Sequence, residues 1–369
     1  MKLFRLIDRL HRFTRSFGPD RGEPSGVLLL NCGGLGDTVL FSHVLPKFMA
    51  LANKGETATV LMRNDGAKTS FLFPKSVSTL TVDFKQLRRL GYRKKILNQL
   101  YQANYRMVVH TDFLRHPDLD EALVAAADAP ETAAMEPRSW PKYDKALSRN
   151  RALYRRLYGS GPALKDKILR WNDFANWLCG MDSSAPKALT PTEQLPEPAT
   201  KSGPLVLIQP FSAVKLKQSP VALYKKIIQA LPEGTDIRLT GAPGDLNSNP
   251  DYRPLLDLPG VTFDDSTFEG IMPALRAADL VISVDTAMMH LAVAAGAPTL
   301  CLGSAAYVGE IVPYAPETTP PNVRFLYQTM PCEGCLGDCS LPLDRGMFHC
   351  VAQLSEETVL AAVREMLET

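Results

Sequence analysis

The chain has 369 residues, of which 45% are hydrophobic and 22% charged, and a formal net charge of +2. That length exceeds one ordinary core and predicts two domains of a globular protein. The near-neutral charge gives no ground for nucleic-acid binding, and no apolar run approaches the roughly 20 residues of a membrane span.

Residues 2–17 carry Leu3, Leu6, Ile7, Leu10, Phe13 and Phe17 near helical spacing, with Lys2, Arg5, Arg9, Arg12 and Arg15 between them. A basic amphipathic helix of this kind either lies on an anionic membrane or packs on its own domain. Its charges also break any signal-peptide core, so a cytoplasmic location is the expectation.

Gly26–Asn31 is a continuous apolar strand that runs into Gly33-Gly34-Leu35-Gly36-Asp37, with a helix expected from Thr38. Strand, glycine turn and helix form the first unit of a doubly wound sheet. Strands are predicted at 57–62, 79–82 and 107–110. A basic helix is predicted over 87–105, and a second around Arg149, Arg151, Arg155 and Arg156. Residues 183–204, rich in proline and polar side chains, read as a linker. A second series follows, with strands at 205–209, 236–240, 261–263, 280–284 and 299–302, and a final helix over 355–367.

Four strand ends carry candidate chemistry. Asp37 can cap a helix or, ionised there, take a proton from an attacking hydroxyl. Phe211–Pro220 places Ser212 and Lys217 in a loop suited to phosphate, or to solvent. Thr240-Gly241-Ala242-Pro243-Gly244-Asp245 can meet ribose hydroxyls or be a plain turn. Asp285 and Thr286 can cap the helix that begins at Met288, and that helix start can hold an anion.

Cys332-x2-Cys335-x3-Cys339-x10-Cys350 is the other local signal. Four thiolates in one glycine-rich segment can close a tetrahedral site for zinc or iron, with a structural role. Reduced thiols are the alternative. With seven cysteines, an odd number, a reducing compartment is expected. Cys32, Cys179 and Cys301 read as core residues.

The run Ala278–Thr286, then His290-Leu291 and Ala294–Thr299, resembles glycosyltransferase family 9, the bacterial heptosyltransferases. Gly36-Asp37 looks like that family's first motif. Lys217-x-x-Pro220 looks like its Lys-x-Trp-Pro, with Ser219 for Trp, and Gly241–Asp245 looks like its Gly-x-Pro-x-Glu, with Asp for Glu. Ala287 stands where the family signature has glycine.

The resemblance implies an α/β fold of GT-B type, two Rossmann-like domains facing a cleft. The implied acceptor-binding domain is 1–190 and the implied nucleotide-sugar domain 191–354. Residues 355–369 would form a helix packing back toward the cleft or the first domain. Asp37 would be the general base, and Lys217 would offset charge on the leaving diphosphate. The donor side would comprise Ser212, Gly241, Asp245, Asp285, Thr286, Ala287, Met288 and His290. The acceptor side would comprise Gly36, Thr38 and Asp112.

The implied reaction is inverting, metal-independent transfer of heptose from ADP-heptose to a lipopolysaccharide core sugar. Peripheral contact with the inner face of the inner membrane would suit that acceptor. Alternatives are protein O-heptosylation, which in this family accompanies a four-cysteine iron site, and a nucleotide-sugar-binding protein without catalysis.

Overall fold

A computed structural model describes residues 2–15 and 17–368. The side chains of Lys2 and Leu3, part of the periodicity above, lie outside the described set. Among the described residues, no helix is long and apolar enough to cross a membrane.

The chain divides into two compact units. The first is Met1–Ala163 with Arg170–Ser184, and the second is Leu164–Leu169 with Ala185–Thr369.

Unit 1 begins with helix α1 (Lys2–Arg15) and continues through β1 (Val27–Asn31), α2 (Leu35–Met49), β2 (Ala58–Arg63) and β3 (Ser78–Val82). Then come α3 (Leu90–Gln102), β4 (Met107–His110), α4 (Asp120–Ala127), β5 (Glu131–Met135), α5 (Asp144–Asn150) and β6 (Arg156–Tyr158). Helix α6 (Lys167–Cys179) follows. The sheet is all parallel, in the order β3-β2-β1-β4-β5-β6. β1 is buried along its whole length, as a central parallel strand covered on both faces must be. β3, at the edge, is largely exposed and polar.

Unit 2 repeats the plan. Its elements are β7 (Leu205–Gln209), α7 (Val221–Ala230), β8 (Asp236–Thr240), α8 (Asp245–Ser248), β9 (Val261–Asp264) and α9 (Met272–Ala277). β10 (Leu280–Val284), α10 (Ala287–Ala294), β11 (Thr299–Leu302), β12 (Val323–Leu326), α11 (His349–Ala352) and α12 (Glu356–Leu367) complete it. The parallel order β12-β11-β10-β7-β8-β9 matches unit 1 when read from the other edge. Helix α12 opens on Ser355, whose hydroxyl accepts from Thr358 N–H at 3.3 Å, and buries Val359, Ala362 and Val363 in the unit 2 core.

Two local expectations fail. The basic run from Arg149 to Arg156 is not one helix: α5 ends at Asn150, a single 3₁₀ turn covers 151–153, and Arg156 opens β6. α2 begins at Leu35, so Gly36 and Asp37 lie inside its first turn rather than before it.

Candidate active site

In a parallel doubly wound sheet, ligands bind at the carboxyl ends of the strands. Each unit gathers its candidate residues there.

In unit 1, Gly34 is the N-cap of α2 and Asp37 the third residue of the helix. The Asp37 carboxylate accepts a hydrogen bond from the Gly34 N–H at 2.7 Å, the return half of a capping box. Gly33 must be glycine, because a Cβ there would stand 2.6 Å from the Asp37 Cβ. Thr38 is buried and donates to the Gly34 carbonyl at 3.2 Å.

Asp112, just past β4, is also buried and accepts from the Cys32 N–H at 2.6 Å. Burial pushes its carboxyl up to about 6, and neighbouring Asp120 and Asp37 add to the rise. Burial likewise pushes Asp120 up to about 6 and His110 down to about 4. His110 therefore sits neutral between two acids, Nδ1 at 3.7 Å from Asp112 and Nε2 at 3.6 Å from Asp120. Cys32, His110 and Asp112 bring potential ligand atoms within 4.8 Å of one another. The Asp112 N–H already approaches His110 Nδ1 at 3.3 Å, and burial holds the Cys32 thiol in its protonated form. The group is thus better suited to holding protons than a cation.

In unit 2, the loop after β7 is stitched in place. Gln209 donates to the Phe211 carbonyl at 3.1 Å, and Gln218 to the Ser212 carbonyl at 3.1 Å. The Ser212 hydroxyl accepts from the Val214 N–H at 3.2 Å, a loop-shaping contact. Lys217 thereby meets Asp285, with Nζ 2.9 Å from Oδ2, and both side chains are nearly buried. The ammonium also lies 4.9 Å from the centroid of the Tyr307 ring.

Asp285 follows β10 as expected, yet it is paired with a lysine rather than capping the helix. Thr286 is the N-cap of α10 by position, but its side chain makes no capping hydrogen bond. Ala287 is the first helical residue, and it is not among the described non-glycine residues with positive φ. Alanine at this signature position is therefore unstrained. Met288 is buried in the first turn of α10. His290 is buried too, its Nδ1 2.5 Å from the Tyr314 hydroxyl and its ring stacked on that tyrosine. This places His290 in the support behind the loop.

Asp245 is held much as Asp37 is: its carboxylate accepts from the N–H three residues earlier, Ala242, at 2.7 Å. A Cβ on Gly241 would stand 2.8 Å from the Phe211 ring and 3.1 Å from Asp245 Oδ2, so only glycine fits that turn.

All seven cysteines are unbridged. Cys332 and Cys339 lie 4.0 Å apart, Sγ to Sγ. Their segment is clasped to the loops that follow β7 and β11. Gly334 and Leu336 donate N–H groups to the Ala305 and Ala306 carbonyls, and Phe348 donates to the Leu216 carbonyl. Those carbonyls neighbour Tyr307 and Lys217 respectively.

Tyr307, His110 and Asp120 were not singled out from the sequence. A signal existed for Tyr307, since it follows β11 at the carboxyl end of the sheet.

The sequence model described as glycosyltransferase family 9 (heptosyltransferase) matches residues 84–334, more than half the chain. No curated protein sequence matches. Among solved structures, the chain is similar to E. coli heptosyltransferase WaaC with ADP-2-deoxy-2-fluoro heptose, at 17% identity and a TM-score of 0.66, covering 92% of this chain and 99% of that one. It is similar to E. coli ADP-heptose lps heptosyltransferase II at 14% identity and 0.62, covering 93% and 98%. It is also similar to the iron-containing dodecameric glycosyltransferase TibC of enterotoxigenic E. coli at 14% identity and 0.51, covering 94% and 80%. At these identities the likeness is one of fold, the two-Rossmann GT-B architecture.

Proposed function

Because the chain belongs to glycosyltransferase family 9 (heptosyltransferase), we propose that this glycosyltransferase moves heptose from ADP-heptose to a sugar of the lipopolysaccharide core. The observation that carries the donor assignment is the Lys217–Asp285 pair beside the first turn of α10. A cation at a helix N-terminus is suited to a diphosphate, for which free N–H groups and a positive charge act together. Asp245, fixed in its turn, would meet the ribose, and Asp285 the sugar hydroxyls.

In the proposed step the acceptor hydroxyl attacks the anomeric carbon of the donor. The new C–O bond forms as the bond to the diphosphate breaks, with inversion. Asp37 takes the hydroxyl proton, and ADP leaves with the electron pair of the broken bond, its charge offset by Lys217. Gly36 and Thr38 hold the Asp37 turn, and Asp112 adds a second carboxylate on the acceptor side. No step requires a metal.

Cys332, Cys335, Cys339 and Cys350 would hold one zinc or iron ion in a structural role. Two of these unbridged thiols approach to 4.0 Å, and four sulfurs make the donor set of a tetrahedral ion; among the described residues no three of the four lie within 4.8 Å of one another, so the ion would draw the others in. Elemental analysis of purified protein should find about one metal per chain, lost in C335S/C339S; metal-free protein with unchanged stability would end this assignment.

The cysteine segment, through the family resemblance, keeps a second acceptor in view, a protein side chain. The experiment incubates radiolabelled ADP-heptose with heptose-deficient glycolipid and, separately, with whole protein extract. Label in the glycolipid supports the core-sugar reading, label in protein supports the second, and label in neither overturns both.

A further inference from the structure

Helix α1 is turned the unusual way round. A surface helix normally packs its apolar stripe inward and shows its charges to water. Here Arg5, Asp8 and Arg15 face the body of unit 1. Arg5 bonds Asp118, with Nη2 to Oδ2 at 3.0 Å, and Asp8 receives the buried Arg93, with Nε to Oδ1 at 3.0 Å. Arg15 donates to Asn98 at 2.7 Å and lies over the Tyr101 ring. The apolar face is left outside: Leu6 is 56% exposed, Leu10 56% and Phe13 64%, with Phe17 at 76% just beyond the helix end.

The inward ion pairs also fix the helix. Arg93 comes from α3 and Asp118 from the segment before α4, so α1 is tied to two parts of the body at once. A helix held by its polar face presents the opposite face outward as a constant feature.

Charge identifies the partner that this face suits. Arg9 and Arg12 are exposed on the same helix. Beneath the helix runs a cavity of about 240 Å³ lined by six arginines, among them Arg9, Arg12 and Arg149, against three carboxylates. An apolar stripe flanked by arginines is complementary to acyl chains below negatively charged headgroups. A neutral protein surface would use the leucines and leave the arginines without counterparts.

We propose that α1 is a bilayer-docking element: Leu6, Leu10 and Phe13 enter an anionic phospholipid surface, and Arg9 and Arg12 hold its headgroups. This does not rest on the heptosyltransferase reading, and its test needs no substrate.

Flotation of the full-length protein with vesicles reads it directly. Wild type is expected to float with equal-part phosphatidylglycerol and phosphatidylcholine vesicles and to stay behind with phosphatidylcholine alone. L6S/L10S/F13S should lower the partition coefficient about tenfold or more, with unchanged circular dichroism. R9E/R12E should lose the preference for anionic vesicles, and raised salt should weaken wild-type binding. Wild type that fails to float overturns the proposal, as does a triple variant that floats equally well. A concentration-dependent dimer of wild type, absent in the triple variant and insensitive to vesicles, also overturns it by assigning the face to a second copy of the chain.

Discussion

The carboxyl ends of the two sheets share a topology and carry opposite electrostatics. Unit 1 gathers acids: Asp112 and Asp120 are both pushed up to about 6 by burial, with neutral His110 between them and Asp37 near enough to raise Asp112 further. Unit 2 instead pairs its buried acid, Asp285, with Lys217 and sets an aromatic ring beside the cation. Carboxyls buried together in this way hold protons more readily than exposed ones do. A cation held by a buried carboxylate and a ring suits an anionic ligand. One strand order thus carries two electrostatic environments, decided by which charges the turns admit.

The widest gap between the two ends should appear on removing the proposed base. D37N keeps an oxygen for the Gly34 N–H but cannot take up a proton in the same way. Transfer of label from ADP-heptose should fall by about 10²–10⁴-fold, with little change in melting temperature. Transfer at the wild-type rate would remove Asp37 from the chemistry and leave it a helix-capping residue.

At the other end, K217M strands the Asp285 carboxylate in a nearly buried position. Breaking one partner of such a pair costs on the order of 3–5 kcal/mol. Denaturant unfolding should show that loss, K217M/D285N should recover much of it, and calorimetry should find ADP binding weakened in both. A single variant as stable as wild type would mean that water, rather than Lys217, satisfies Asp285.

A smaller effect concerns pH. The folded-state pKa of Asp112 is raised from 3.8 to about 6. The folded protein therefore holds this proton more tightly than the unfolded chain does. The stabilisation is complete below about 3.8 and disappears as pH rises through about 6. His110, lowered from 6.5 to about 4, works oppositely: its contribution is present above 6.5 and is lost as pH falls through about 4. D112N removes the first contribution and retains an acceptor for the Cys32 N–H. The difference in melting temperature between wild type and D112N should thus shift in favour of D112N from pH 4 to pH 7. A difference independent of pH would show that Asp112 does not titrate in this window.

The least disturbance is expected at Ala287. Its backbone is helical, so A287G should cost only about 0.5–1 kcal/mol in stability. Transfer should stay within a few-fold of wild type, since nothing at that position requires a left-handed residue. A gain of tenfold or more would mean that the alanine methyl obstructs the donor.

The fold was legible where physics acts locally. β1, β7 and β10 are continuous apolar runs because both faces of a parallel sheet are covered, and β4, β7, β8, β10 and β11 lie where the sequence places them. β5 reads Glu-Thr-Ala-Ala-Met, and neither bulk nor alternation marks it as a strand. β6 is a three-residue edge whose Arg156 ends a run of arginines that resembles a helix face. The site was legible as a set of strand-end residues, while its pairings were not. That Lys217 meets Asp285, 68 positions away, depends on how two loops pack. The inverted α1 was hidden for a related reason: periodicity reveals two faces, and only the positions of Asp118 and Arg93 decide which turns inward.

The clasp between the cysteine segment and the loops after β7 and β11 has a consequence for heat. One core cluster against the unit 2 sheet buries twenty-one side chains, whereas the cluster around Cys350 buries six. The smaller cluster should open at a lower temperature, as sparsely packed regions do. Warming would then release Leu216, Ala305 and Ala306, and with them the settings of Lys217 and Tyr307, while the strands still stand. The proposed nucleotide site would lose its shape several degrees before the protein melts, and its useful lifetime would be set by a loop of about twenty residues rather than by the core.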